Sequence, residues 1–148
     1  MKTVLTLLAL LASVTIPAHG LGFELSQSKE ELKLEYEVAV HDHSTGRLTI
    51  TLSIANEGRL KPLNAVNLVV ASTDGTGHVD LSTRLHREVK GGRNVYRIHL
   101  HRKLASRALL QLRTNGLDGK ASPRTWYYHN IELRSHLGER EDSQEDKD

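Results

Sequence analysis

From Leu48 to Ile54 apolar and hydroxyl side chains alternate without a fault, with Leu48, Ile50, Leu52 and Ile54 set against Thr49, Thr51 and Ser53. Successive side chains of a strand point to opposite faces, so this segment predicts a strand with one buried face and one wet face. Asn56-Glu57-Gly58 breaks the run with turn chemistry, and Leu63, Val66, Leu68 and Val70 begin a second buried set within 63–71. Upstream, Leu32, Leu34, Tyr36, Val38 and Val40 keep the same period and predict the first strand, after an irregular lead-in over 21–29. Asp42 to Gly46 supplies the turn that joins it to the second strand.

The rest of the chain repeats the pattern. Ser72 to Gly77 is a loop of turn residues, and His78 to Val89 predicts a fourth strand with Val79, Leu81, Thr83 and Leu85 facing inward. Lys90-Gly91-Gly92-Arg93 is a hairpin signal, because two glycines can take the positive φ of a tight turn. Asn94 to Arg102 follows as the fifth strand, with Tyr96, Ile98 and Leu100 inward. Ala108 to Arg113 is the sixth and Thr125 to Leu133 the seventh, separated by a loop over Asn115–Gly119 and Pro123. No segment carries a sustained helical period, and Leu104 to Leu110 has room for a helical turn only. Seven short strands at this spacing predict an all-β fold, a seven-stranded immunoglobulin-like antiparallel β-sandwich in which the first, second, fifth and fourth strands share a sheet.

Composition divides the 148 residues into three parts. Lys2, the apolar run Val4–Ile16 and the small residues of Pro17-Ala18-His19-Gly20 have the layout of a secretory signal peptide, assigned to residues 1–20. That run is shorter than the roughly 20 residues a membrane-spanning helix needs, and none later is as long, so a soluble mature chain is expected. Cysteine is absent, which removes both disulfide staples and a lipid-bearing cysteine; a domain over 21–137 must be held by its apolar core. Residues 138–148 carry six acids, two bases and no apolar side chain, and are expected to form a disordered acidic tail. Residues 21–137 hold 17 Lys/Arg against 12 Asp/Glu, a net +5 that favours anionic envelope polymers or headgroups over cationic partners.

The run Thr51-Leu-Ser-Ile-Ala-Asn-Glu-Gly58, followed by Lys61-Pro-Leu-Asn-Ala-Val-Asn-Leu-Val-Val70, resembles the core of immunoglobulin-like modules in bacterial exported and surface proteins. The resemblance spans two strands of the seven and lacks the cysteine pair and strand-C tryptophan of antibody domains. It implies the sandwich fold and an adhesive or scaffolding tendency, and no activity.

Histidine is the compositional oddity, with nine residues. His41/His43 and His99/His101 are His-x-His pairs, so each pair shares one face of its strand, opposite the apolar set. A two-residue Gly91-Gly92 loop would place Arg84 opposite His99, Ser82 opposite His101 and His86 opposite Arg97. The outer face of the fourth and fifth strands (Arg84, His86, Arg97, His99, His101) is therefore the candidate binding surface. Histidines on such a face gain charge below roughly pH 6.5 and would strengthen its hold on anions. The alternative is a copper or zinc site from His41, His43, His99 and His101, two pairs about 10 Å apart across the second strand. His19 offers a second copper route if cleavage follows Ala18, and is removed if cleavage follows Gly20.

Patterns for catalysis are missing. The chain has no Gly-x-Ser-x-Gly elbow, no cysteine nucleophile and no His-Glu-x-x-His helix. Asp42-His43-Ser44 are neighbours in a turn, where consecutive side chains diverge rather than converge as a triad requires. The expected function is thus non-enzymatic: an exported, periplasmic or extracellular module, without a cofactor, that binds or scaffolds an envelope protein or anionic polymer. The spread of basic residues over strands, without interleaved aromatics, argues against nucleic acid.

Overall fold

The computed structural model describes residues 14–15 and 23–138. In chain order they form β1 (Val14–Thr15), β2 (Phe23–Ser26), the one-turn helix α1 (Lys29–Leu32), β3 (Glu35–Asp42) and β4 (Arg47–Asn56). A short 3-10 turn (Gly58–Leu60) leads to β5 (Ala65–Ala71), β6 (Val79–Arg84), β7 (Glu88–Lys90) and β8 (Arg93–His101). A second one-turn helix, α2 (Arg102–Ala105), precedes β9 (Ala108–Thr114), β10 (Gly116–Leu117), β11 (Lys120–Ala121) and β12 (Thr125–Glu132). The signal-peptide assignment falls outside the described residues apart from Val14 and Thr15, and the acidic tail beyond Gly138 lies outside them entirely. No helix among the described residues is long and apolar enough to cross a membrane.

The chain is mostly β, and its sheets form a sandwich-like arrangement. Among the described residues one large sheet has the order β3-β4-β8-β7, the other large sheet β1-β2-β12-β9-β5-β6, and β10 and β11 form a separate two-stranded antiparallel ribbon. Every pair is antiparallel except β2 with β12. The alternation read from the chain explains the packing: Leu48, Ile50, Leu52 and Ile54 of β4 are buried against Val66, Leu68 and Val70 of β5 and Leu110 and Leu112 of β9. Tyr96 and Ile98 of β8 and Ile131 of β12 complete the layer between the sheets. Burying one leucine-sized side chain contributes about 1.5–3 kcal/mol, so this layer, without any disulfide, holds the body together.

Three expectations are corrected. The lead-in over 21–29 is ordered: β2 pairs with β12, and α1 begins with a capping box in which the Ser28 hydroxyl accepts from Glu31 N at 3.1 Å and the Glu31 carboxylate accepts from Ser28 N at 2.9 Å. Hydrogen bonding from the Ser28 backbone first, and from the Ser28 side chain next, holds the Glu31 carboxyl below its ordinary range. Leu32 therefore ends a helix, and the first long strand starts at Glu35.

The second correction concerns the strand expected over 78–89, which is two strands in two sheets. β6 pairs with β5, and Leu85 N donates to Val66 O at 2.8 Å; after His86 and Arg87 the chain joins the other sheet as β7, beside β8. The hairpin itself has the expected register, Glu88 facing Val95 and Lys90 facing Arg93, with Gly91 and Gly92 at φ 57° and 73°. Alternation tells inside from outside but not which sheet receives the strand, and here the chain crosses between sheets without changing parity. Third, β6 pairs on one side only, so Val79 and Leu81, expected in the core, stay 54% and 44% exposed.

A polar junction joins the two sheets at one end. His129 of β12 is buried, Nδ1 lies 2.9 Å from Gln27 O, and Nε2 lies 3.1 Å from the Tyr36 hydroxyl of β3. A carbonyl only accepts, so Nδ1 carries the proton and Nε2 accepts from Tyr36. Lys29 Nζ covers the Tyr36 ring at 4.5 Å. Burial, aided by Glu30, raises the Tyr36 phenol above its ordinary range; burial also raises Tyr96, with Glu57 adding to it. A phenol raised on folding favours the native state up to its unfolded pKa, and that contribution is lost as pH climbs through the native value. The melting temperature is thus expected to fall as pH rises above about 10, less steeply in a Tyr36→Phe/Tyr96→Phe variant compared with itself at pH 8. Parallel slopes in thermal melts would exclude the two phenols as the cause.

Candidate functional site

The wet face of the four-stranded sheet is built by parity. On β4 the residues between the buried leucines and isoleucines, Arg47, Thr49, Thr51 and Ser53, face out, and the pairing sets their neighbours. His41 of β3 and His99 of β8 both lie opposite Thr49, Ala39 and Arg97 opposite Thr51, and His101 opposite Arg47. His43, just past β3, donates its backbone N–H to Arg47 O at 2.8 Å, which extends the Arg47 row. Two adjacent rows therefore carry four exposed histidines, with Arg47 in one and Arg97 one row further on.

Thr49 is the hub of this cluster. Its hydroxyl lies 2.8 Å from His43 Nε2 and 3.0 Å from His99 Nδ1. A hydroxyl has one proton, so with neutral rings it donates to one imidazole and accepts from the other. The His41 and His43 rings meet edge to face at 4.7 Å between centroids. His101 turns away, and its Nδ1 accepts from Lys103 N at 3.3 Å, capping α2.

Carboxylates stand outside these rows. Asp42 reaches Arg102 at 2.7 Å, Glu37 reaches Arg93 at 3.2 Å, and Glu88 touches Arg97 loosely at 3.9 Å. The side chains of the two histidine rows and of the Ala39–Thr51–Arg97 row beside them are thus either neutral or basic.

The histidine pairs lie on either side of β4 as expected, but only His43 and His99 address a common atom. His43 and His99 address Thr49, and His101 addresses a backbone amide. Among the described residues no group of three or more His, Cys, Asp or Glu side chains is placed to hold a metal ion. His19 lies outside the described residues.

Two of the five expected binding residues belong elsewhere. Arg84 lies on β6, opposite Asn67 in the other sheet, and His86 lies in the crossover, so neither faces Arg97 or His99. Both line a separate cleft of about 380 Å³ at the crossover. Sequence reasoning also missed Thr49 as the hub and Arg47 as part of the face, although the alternation that places them outward was legible. The aromatic cluster of β12 divides as parity requires: Tyr127 packs on the core, and Trp126 is 37% exposed beneath the Arg113 guanidinium at 4.9 Å. The chain matches no protein-family model, no curated protein and no solved structure.

Proposed function

We propose that this chain is an exported, non-enzymatic module of the immunoglobulin-like sandwich type, which binds an anionic component of the cell envelope through the outer face of β3, β4 and β8. The observation that carries the reading is the pair of adjacent rows His43–Arg47–His101 and His41–Thr49–His99, bordered by Arg97 and free of carboxylates. Export rests on the leader pattern over residues 1–20, which points to a periplasmic or extracellular location. The sandwich type is supported by the order β3-β4-β8-β7 against β12-β9-β5-β6, which parallels the strand orders A-B-E-D and G-F-C-C′.

Histidine gains its charge between pH 5 and 8, so the face grows more cationic as the medium acidifies. Binding to dextran sulfate, whose charge is constant over this range, should tighten from pH 7.5 to 5.5 and weaken with added salt. In surface-binding measurements, a His41→Gln/His99→Gln variant should lose about tenfold at the acidic end, the equivalent of ~1.4 kcal/mol, and little at the neutral end. Binding that is flat with pH, indifferent to salt or unchanged in the variant would remove the face from the proposal.

A further inference from the structure

The crossover from β6 to β7 leaves the cleft that Arg84 and His86 line. The partly exposed Leu63 and Leu85 supply its apolar wall, and Arg84, His86 and Arg87 its basic side. Its volume, about 380 Å³, lies within the ~300–1,000 Å³ of small-molecule sites. Six arginines form ion pairs among the described residues, at positions 59, 93, 97, 102, 107 and 113. Arg84 and Arg87 do not, although both line the one cleft. Arg84 is held in place by donating from Nη2 to Asn64 O at 2.6 Å, which leaves other guanidinium N–H groups free to donate.

Glu57, whose charge acts on Tyr96 of the cleft lining, is already engaged. Glu57 accepts from Asn94 Nδ2 at 2.7 Å and from Leu63 N at 3.2 Å. Tyr96 also lines the cleft, and its phenol, raised by burial and then by Glu57, feels Arg87 and Arg84 as opposing influences; it stays a proton donor beside the two guanidinium groups. A guanidinium fork matches carboxylate and phosphate alike, but only a ligand with a hydrocarbon part uses the Leu63 and Leu85 wall.

We infer that this cleft is a binding site for a small carboxylate with a short hydrocarbon tail, the carboxylate on Arg84 and Arg87 and the tail against Leu63 and Leu85. The site is separate from the histidine face and stands or falls independently of it.

The test uses the full chain, with backbone amide shifts followed during titration with hexanoate, hexanol and inorganic phosphate. Hexanoate should produce saturable shifts centred on Asn64–Val66 and Leu85–Arg87, with a Kd of about 1 mM for a ligand of this size. Arg87→Gln and Arg84→Gln should each weaken it about tenfold. Arg124→Gln, outside the cleft, and the His41→Gln/His99→Gln variant should leave it unchanged. Absence of saturable shifts, equal affinity for hexanol or for phosphate, or indifference to both arginine substitutions would overturn the inference.

Discussion

Gly58→Ala is expected to destabilise the fold by roughly 3 kcal/mol or more, measured by urea denaturation. Gly58 opens the 3-10 turn after β4 at φ +54°, a left-handed conformation that costs a residue with a Cβ about 1–2 kcal/mol. A Cβ there would also run into the carbonyl oxygens of Leu32 and Lys33, at the end of α1. Backbone cannot swing aside as a flexible side chain can, so α1 or the turn must shift, and forced overpacking costs a further 1–3 kcal/mol or so. Leu32 and Leu60, both fully buried, sit on the two sides of this contact and would be displaced with it. Gly75 is the control, with a similar φ of +73° and open space around its Cβ position. Gly75→Ala should show the conformational cost alone, so a Gly58→Ala loss no greater than that of Gly75→Ala would mean that the close approach does not matter.

The Gly58 example shows what the sequence made legible. Asn56-Glu57-Gly58 reads as a turn, and the need for glycine follows from turn chemistry; that the glycine lies against the carbonyls of a helix 25 residues earlier does not. Local period-two patterning located β3, β4, β5, β8, β9 and β12 and their inner faces, because one buried face imposes alternation wherever the strand pairs. The Ser28-x-x-Glu31 capping signature of α1 was legible too, yet no apolar helical period followed it to draw attention.

The candidate site was half legible for a related reason. Histidines at 41, 43, 99 and 101 could be placed on one outer face from parity and from the order of strands, and pairing sets His41 and His99 on either side of Thr49. Arg84 and His86 could not, since two sheets packed on a common core offer a strand the same inward face. The choice between them is made at Leu85, whose backbone bonds to Val66 before the chain turns toward β8. That crossover removes Arg84 and His86 from the histidine face and places them with Arg87 in the lining of a cleft. One misread edge thus separates a single large basic surface from two smaller, chemically different ones.

His129 shows the opposite failure, a residue the alternation exposes and composition hides. Trp126 and Tyr128 face outward, so Tyr127, His129 and Ile131 face inward, and an inward histidine needs partners for both nitrogens. Gln27 O and the Tyr36 hydroxyl supply them, and the imidazole thereby ties the segment after β2, strand β12 of one sheet and strand β3 of the other. His129→Leu keeps much of the side-chain volume but strips the donor from Gln27 and the acceptor from Tyr36. Each orphaned partly buried group costs about 1–3 kcal/mol, so a loss of roughly 2–4 kcal/mol is expected in the urea midpoint, with an unchanged slope. Tyr36→Phe breaks only the Nε2 bond and should lose less, about 1–3 kcal/mol. Hydrogen exchange adds a local reading: the Gln27 amide, bonded to Tyr128 O at 2.9 Å, should lose protection in His129→Leu and largely keep it in Tyr36→Phe. Equal stability of the two variants, or a Gln27 amide indifferent to both, would mean that the imidazole fills space without tying the sheets together.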